Sequence, residues 1–245
     1  MRMSMCCRGR SGTNRLVKAE KPEIMRRIPE PELMNDDAQA RAYAEADFEA
    51  PHSYFIELFQ QTFSNLSISG SVLDLGCGPA DISLRFARAY PDCEIHAVDA
   101  AKAMLAYAEK AIQQAELAER ILLVPGYLPQ VQLPREQYDV VISNSLLHHL
   151  ADPMSLWQVV QQYAIPGAPV FIMDLMRPTS KAAAQVLMEE YAAGEPAVLQ
   201  HDFYHSLLAA YSPQEVEQQL SALTLPFSVS VVSDRHLVVS GVMTG

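Results

Sequence analysis

The stretch VLDLGCGPAD, residues 72–81, is the most informative part of the sequence. Its apolar first half is typical of a buried strand, and Gly76-Cys77-Gly78 follows directly. Glycine tolerates positive φ and has no Cβ, so a chain at such a turn can pass close to a ligand. Pro79 then falls in the first turn of a helix, where its missing N–H costs no hydrogen bond. The segment therefore predicts a strand, a tight turn and a helix that together form a ligand site.

A single acidic residue, Asp99, ends the second predicted strand, 21 residues after the second glycine of the turn. A carboxylate at this place in an open α/β sheet can accept hydrogen bonds from both hydroxyls of a ribose. A dinucleotide site normally has a third glycine, whereas this chain has Pro79-Ala80-Asp81. Asp74 and Asp81 also bring negative charge, which disfavours a pyrophosphate and favours a sulfonium with an ammonium group. The residues therefore favour a cationic nucleoside over NAD.

Strands alternate with helices through the middle of the chain. A strand, a connecting helix and a second strand imply parallel pairing with right-handed crossovers, and repetition of this unit gives a doubly wound sheet. The predicted strands are residues 72–75, 93–98, 121–124, 138–143 and 169–175.

The last 70 residues follow a different pattern. Helices are predicted at 179–191 and 203–211, and Ser212 with Glu215 predicts a capping box for a third. Two apolar runs, 227–232 and 236–242, flank Ser233-Asp234-Arg235 and predict a hairpin. We therefore expect an α/β fold with a mostly parallel, seven-stranded sheet that ends in an antiparallel hairpin.

Length and composition place the chain among soluble globular proteins. With 245 residues, 49% of them hydrophobic, it fits one domain or one domain with a small appendage. No apolar run approaches the roughly 18 residues that a membrane span needs. The four cysteines have the spacing of neither a disulfide framework nor a zinc site. We predict a cytoplasmic protein without a metal or a membrane partner, and the sequence leaves the oligomeric state open.

Charge is unevenly distributed along the chain. Residues 1–27 carry eight Lys/Arg and two Asp/Glu, whereas the rest of the chain carries ten Lys/Arg and 27 Asp/Glu. The strongly acidic chain after residue 27 repels phosphate backbones, which argues against nucleic acid as a partner. We predict that 1–27 is a disordered basic tail without a catalytic role, that 28–66 forms helices covering the site, and that 67–245 is the ligand-binding domain.

Two further stretches complete the pattern: YDVVISNSLLHHL at 138–150 and PVFIMDLMRP at 169–178. With residues 72–81 they resemble motifs of the class I S-adenosylmethionine-dependent methyltransferases, and the likeness covers about residues 50–242. The resemblance implies a Rossmann-like methyltransferase fold and S-adenosyl-L-methionine as cofactor. The cofactor contacts that the resemblance implies are Asp74, Gly76 and Gly78 at the methionine part, Asp99 at the ribose, Ala100 and Met104 at the adenine, and Asn144, Ser145 and Leu146 along the cofactor. Three further residues are predicted to contact the cofactor: Cys77 within the turn, Tyr127 and His149.

The chain departs from many relatives after the third strand. Where they have Gly-Asp-Ala, with the Asp recognising the adenine amino group, this chain has Gly126-Tyr127-Leu128. Either Tyr127 stacks on or edges the adenine, or backbone atoms recognise it.

Methyl transfer from a sulfonium uses a donor that is already activated, so alignment of the reactants supplies most of the catalysis. A base is needed only if the acceptor keeps its proton near neutral pH.

His148 and His149 are candidates for a base or for the cofactor wall. Asp174 and Arg177 are candidates for either a substrate contact or a surface ion pair. Residues 178–211 form a possible roof over the acceptor, and they include a polar cluster that is either functional or a solvated helix start: His201, Asp202, Tyr204 and His205. Before the core, Tyr43, Phe48 and His52 either close over the cofactor or pack the core.

The residues after Asn144 carry information about the methyl acceptor. Asn144 is followed by Ser145-Leu146-Leu147, not by the Pro-Pro-aromatic run of enzymes that methylate adenine or glutamine nitrogen. Together with the acidic body, this favours a small-molecule acceptor with an oxygen, nitrogen or sulfur nucleophile. Two alternatives remain: a methyltransferase acting on a protein or RNA, with 1–27 holding an acidic partner, and a non-catalytic module that binds the cofactor as a sensor or scaffold.

Overall fold

The computed structural model describes residues 25–30 and 36–245, and a seven-stranded sheet lies at its centre. The strand order is β3-β2-β1-β4-β5-β7-β6, with β7 antiparallel to both neighbours and all other pairs parallel. This confirms the predicted sheet and its terminal hairpin. The strands are β1 Gly70–Leu75, β2 Cys93–Asp99, β3 Ile121–Pro125, β4 Val140–Asn144, β5 Pro169–Leu175, β6 Ser228–Val231 and β7 His236–Val242.

Helices cover both faces of the sheet, and two of them precede the first strand. The helices are α1 Asp37–Glu45, α2 Glu49–Thr62, α3 Asp81–Ala89, α4 Lys102–Gln114, α5 Met154–Tyr163, α6 Lys181–Ala192, α7 Ala197–Ala209 and α8 Pro213–Ala222, with a short 3-10 helix at Leu147–His149. Ser212 and Glu215 form the predicted capping box at the start of α8. Within the described ranges, no helix is both long and apolar enough to cross a membrane.

Two predicted elements differ from the structure. The helix predicted at 203–211 begins six residues earlier, at Ala197, directly after Pro196. The polar cluster that includes His201 therefore lies within α7, so its interpretation as a solvated helix start is wrong. Strand β4 begins at Val140, because Tyr138 makes only an isolated bridge to Ala164 and hydrogen-bonds His96 through its hydroxyl, 2.7 Å from Nδ1.

The sheet is buried on both faces, as a parallel sheet between helices must be. On one face Trp157 packs in a cluster that includes Leu73 and Val141. On the other face Phe59 and Phe171 meet with ring centroids 5.6 Å apart. These two apolar layers fix the carboxyl ends of β1, β2 and β4, where the functional side chains lie.

A short N-terminal segment, residues 25–30, packs against the fold. The Arg27 guanidinium donates to the carbonyls of Ala209, His148 and Leu150, at 2.5, 2.8 and 3.1 Å, and lies over the Tyr211 ring. The tail boundary predicted at residue 27 therefore falls inside a packed segment. Residues 1–24, to which the rest of that prediction applies, lie outside the described residues.

Candidate functional site

A cavity of about 880 Å³ opens at the carboxyl ends of β1, β2 and β4. Ligand cavities of roughly 300–1,000 Å³ are typical of small-molecule sites, so this one has room for a nucleoside and a second small ligand. All twelve residues predicted to contact the cofactor line it, as do the three N-terminal candidates Tyr43, Phe48 and His52. The structure thus brings together in one space side chains that the sequence distributes over a hundred positions.

The glycine turn is tightly packed between two strands. Gly76 and Gly78 have φ of +73° and +52°, and the amides of Gly76 and Cys77 donate to the Val98 carbonyl of β2. A Cβ on Gly76 would lie 2.8 Å from two side-chain carbons of Leu146, whereas one on Gly78 would meet nothing within 4 Å. The left-handed backbone therefore favours glycine at both positions, and the first position also lacks space for a side chain.

Asp99 is held at the end of β2 by backbone amides. Its Oδ2 accepts from Gly78 N and its Oδ1 from Ala101 N, both at 2.8 Å. Burial raises the pKa of this carboxyl more than these amides lower it. Each carboxylate oxygen has a second lone pair, so a carboxylate that lines the cavity with two fixed oxygens fits a diol.

Asp74 is the most deeply buried acid of the cavity, with 1% of its surface exposed. It accepts a short hydrogen bond from the Ser83 hydroxyl. Burial, with the nearby negative charge of Asp99 adding to it, raises the Asp74 pKa to about 7. A cation bound beside Asp74 would stabilise its ionised form.

Asp81 has a different role from the one expected. Its Oδ2 lies 2.6 Å from His52 Nδ1 and 2.7 Å from Arg85 Nε, and the same arginine pairs with Glu49 at 2.8 Å. Burial alone would raise the Asp81 pKa. The hydrogen bonds and charges of His52 and Arg85 together outweigh it, so the pKa lies below its ordinary value. Asp81 therefore ties α2 to α3 and does not offer an uncompensated negative charge to a ligand. Arg85 was not among the predicted site residues, although its position four residues after Asp81 on one helix is a local signal for this pair.

Asp174 and His148 form a buried pair behind the cavity wall. Asp174 Oδ1 lies 2.6 Å from His148 Nδ1, and Oδ2 accepts from Leu147 N at 2.7 Å. Burial lowers the His148 pKa, but the charge and the hydrogen bond of Asp174, together with the charge of Glu30, raise it above its ordinary value. His148 lines the cavity and Asp174 does not, so the structure does not place Asp174 in direct contact with a substrate there.

Arg177 also lies away from the cavity. It donates to Glu215 at 2.7 Å and is 7% exposed. Its interaction is therefore an ion pair at the start of α8 in which the arginine is buried and Glu215 is 38% exposed, and Arg177 does not line this cavity.

The predicted roof, residues 178–211, supplies one side of the cavity through α6 and α7. Of its polar cluster only Asp202 lines the cavity, together with the neighbouring Phe203. Asp202 also accepts from Gln39 Nε2 at 2.7 Å, which joins α7 to α1. His201 has 67% of its side chain exposed and its ring lies against that of His205, and neither histidine lines the cavity.

One acid at the site was missed in the sequence. Glu30 Oε1 lies 3.1 Å from His149 Nδ1 and 3.7 Å from His148 Nε2. No periodic or motif signal marks Glu30, because it belongs to the irregular segment 25–30 and not to a helix or strand.

Comparisons with known proteins show similarity to methyltransferases. Residues 72–167 match the family described as "Methyltransferase domain". The protein arginine N-methyltransferase 1 of Schizosaccharomyces pombe is 31% identical over 46% of this chain and 28% of its own length. The demethylmenaquinone methyltransferase of a Geobacillus species is 27% identical over 47% and 49%. The chain thus covers less than half the length of these two curated relatives.

The fold has a similar counterpart among solved structures. The plantazolicin methyltransferase BpumL, in complex with a monoazolic desmethylPZN analog and SAH, superposes with a TM-score of 0.66 over 85% of this chain and 90% of its own. At 14% sequence identity this likeness concerns the fold.

Proposed function

We propose that the chain, which belongs to the class I S-adenosylmethionine-dependent methyltransferase family, transfers the methyl group of S-adenosylmethionine to an oxygen, nitrogen or sulfur atom of a small metabolite. The observation that carries the proposal is the shared cavity. The glycine turn, Asp99 and Asn144 line it, and so do Asp202 and Phe203 of α7. Its volume of about 880 Å³ leaves room for a cofactor and an acceptor side by side.

The protein contributes alignment and electrostatics to this reaction. Asp99 would hold the ribose, and Asp74 would face the cationic methionine end through its buried carboxylate. Elements α1, α2, α6 and α7 would keep water from the methyl group while the acceptor's lone pair approaches in line with the carbon–sulfur bond. Such positioning is worth several kcal/mol in intramolecular reactions.

The test is a screen for methyl transfer. Purified protein, S-adenosylmethionine and pooled metabolites would be incubated, and the products followed by mass spectrometry for addition of one methyl group and formation of S-adenosylhomocysteine. We expect one acceptor class to be methylated at a rate that saturates with its concentration. Tight cofactor binding without product from any pool would favour the non-catalytic module instead.

A macromolecular acceptor is the second candidate, and the similarity to an arginine methyltransferase favours it. In that case the basic residues of 1–24 would hold an acidic partner. Replacing the six Lys/Arg of residues 1–24 with glutamine, while leaving Arg27 in place, separates the two candidates. A small-metabolite enzyme would keep its activity, whereas an enzyme that grips an acidic macromolecule would lose most of it.

The affinity for S-adenosylmethionine should depend on pH through Asp74. In the free protein its pKa is about 7, and a bound cation lowers it, so binding releases a proton. Affinity should therefore be full above pH 7 and fall as pH decreases below it, by up to about tenfold per unit. Calorimetry from pH 5.5 to 8.5 would measure this. Asp74→Asn is expected to bind more weakly with a flatter profile, and an equally steep profile in that variant would assign the titration to another group, such as Asp99.

The α7 wall should determine acceptor handling. Phe203→Ala removes an apolar side chain from the cavity, so we expect the acceptor KM to rise about tenfold, close to 1.4 kcal/mol. Affinity for the cofactor should stay within twofold. His201→Ala, two positions away on the same helix but exposed, is the matched control and should behave as wild type. Equal effects of both variants on cofactor and acceptor would contradict a substrate role for this wall.

A further inference from the structure

Three potential ligand atoms converge where the 25–30 segment meets the 3-10 helix. They belong to Glu30, His148 and His149, and all lie within 4.8 Å of one another. The two histidines line the cavity, and Ser206, which donates to Glu30 Oε1 at 3.0 Å, lines it as well. The cluster therefore borders the space proposed for the acceptor.

Hydrogen bonding leaves this cluster incomplete. His148 uses Nδ1 for Asp174, so its second nitrogen, Nε2, faces Glu30 at 3.7 Å, too far for a hydrogen bond. His149 Nδ1 is buried 3.1 Å from Glu30 but, among the described residues, has no partner in hydrogen-bonding geometry. Two nitrogens and a carboxylate oxygen thus share a small volume without a hydrogen bond joining them.

A metal ion at this cluster would also have carboxylates to compensate it. Glu30 lies 3.7 Å from His148 Nε2 and Asp174 lies 2.6 Å from His148 Nδ1, both in a largely buried region. Without an ion, the Arg27 guanidinium and a histidine proton supply the positive charge near these carboxylates. A divalent ion would take the place of histidine protons and keep both carboxylates compensated, as buried charges require.

We propose that Glu30, His148 and His149 bind a divalent first-row transition metal ion, with the remaining coordination positions open to the cavity. Two imidazoles and one carboxylate are a ligand set that binds Zn²⁺ and Fe²⁺ with open positions. Asp174, accepting from His148 Nδ1–H, fixes that ring so that Nε2 is the ligand, the usual arrangement behind a metal-bound histidine.

The open positions suit an acceptor with a hydroxyl or thiol group, and this part of the inference rests on the proposed function. A bound metal lowers the pKa of a coordinated oxygen or sulfur group. On coordination the acceptor would lose its proton to solvent. Its lone pair would then form the bond to the methyl carbon as the carbon–sulfur bond breaks, and S-adenosylhomocysteine would leave as a neutral thioether.

Metal binding can be tested without any acceptor. The background protein would be tag-free and carry His201→Ala, His205→Ala, Cys6→Ser and Cys7→Ser, because an exposed histidine pair on α7 and two adjacent cysteines could bind metal adventitiously. Zn²⁺ would be titrated by calorimetry, and Co²⁺ by its visible absorption. We expect one equivalent to bind with micromolar affinity or better, with a Co²⁺ spectrum typical of nitrogen and oxygen ligands.

Glu30→Gln is the decisive variant, because it keeps the side chain's shape and removes its charge. We expect at least a tenfold loss of Zn²⁺ affinity, and the same for His149→Gln, while the affinity of Glu30→Gln for S-adenosylhomocysteine stays within twofold and so reports an intact fold. Failure of the background protein to bind one equivalent, or unchanged binding in Glu30→Gln, would overturn the metal site. Either result would leave the methyl-transfer proposal standing, because the metabolite screen tests that separately.

Discussion

Replacing Gly76 with valine is expected to abolish measurable binding of S-adenosylmethionine while leaving a folded, less stable protein. The backbone at Gly76 has φ of +73°, which a β-branched residue adopts only with strain of about 1–3 kcal/mol. Its Cβ would also lie 2.8 Å from carbon atoms of the Leu146 side chain, which lines the cavity. Either the turn or Leu146 must move, and both changes alter the proposed cofactor site.

Calorimetry with S-adenosylhomocysteine and thermal unfolding would separate these effects. Gly167→Val is the matched control: Gly167 has φ of +93°, its Cβ would meet nothing within 4 Å, and it does not line the cavity. We expect this control to lose stability and keep its affinity. A Gly76→Val protein that binds within threefold of wild type would show that the turn faces away from the cofactor.

Asp99→Ala is the second variant with a large expected effect. The substitution leaves the Gly78 and Ala101 amides without their acceptors and, in the proposed complex, removes the partner of the ribose hydroxyls. A buried group left unpaired costs about 1–3 kcal/mol. We therefore expect the dissociation constant for S-adenosylmethionine to rise by about tenfold to a hundredfold or more.

Asp139→Ala provides a control of the same chemistry elsewhere on the sheet. Asp139 Oδ2 accepts from Ser71 N and Oγ, both at 2.7 Å, at the opposite end of β1 from the cavity. This variant should unfold at a lower temperature and bind the cofactor normally. If Asp99→Ala and Asp139→Ala lower affinity equally, the effect of Asp99 is general destabilisation and its proposed role at the ribose is wrong.

The sequence predicted the fold because the relevant signals are local. Apolar strands followed by helices determine parallel pairing, and Ser212 with Glu215 determines where α8 begins. The glycine turn and Asp99 could be recognised for the same reason: a strand end, a tight turn and a helix start occur within one short segment. The start of α7 was misplaced, because a polar cluster within a helix was interpreted as its beginning.

The partners of charged side chains could not be predicted, because they depend on which elements meet in space. Arg85 neutralises Asp81 from the next turn of the same helix, yet nothing local indicates that Glu49 and His52 of α2 complete the network. Asp174 lies near the end of β5 and His148 in the 3-10 helix that follows β4, and only packing decides that the two side chains meet.

The sheet, the glycine turn and the acid of the second strand can thus be predicted from local sequence, since periodicity and backbone conformation are encoded by neighbouring residues. Only the packing of the helices shows that α7 presents Asp202 and Phe203 to the cavity and His201 to solvent. Packing also brings Glu30 close to His149, because Arg27 hydrogen-bonds the irregular segment 25–30 to carbonyls of distant elements. Such contacts join residues far apart in the chain, and their charge and hydrogen-bonding complementarity appears only once the elements are packed.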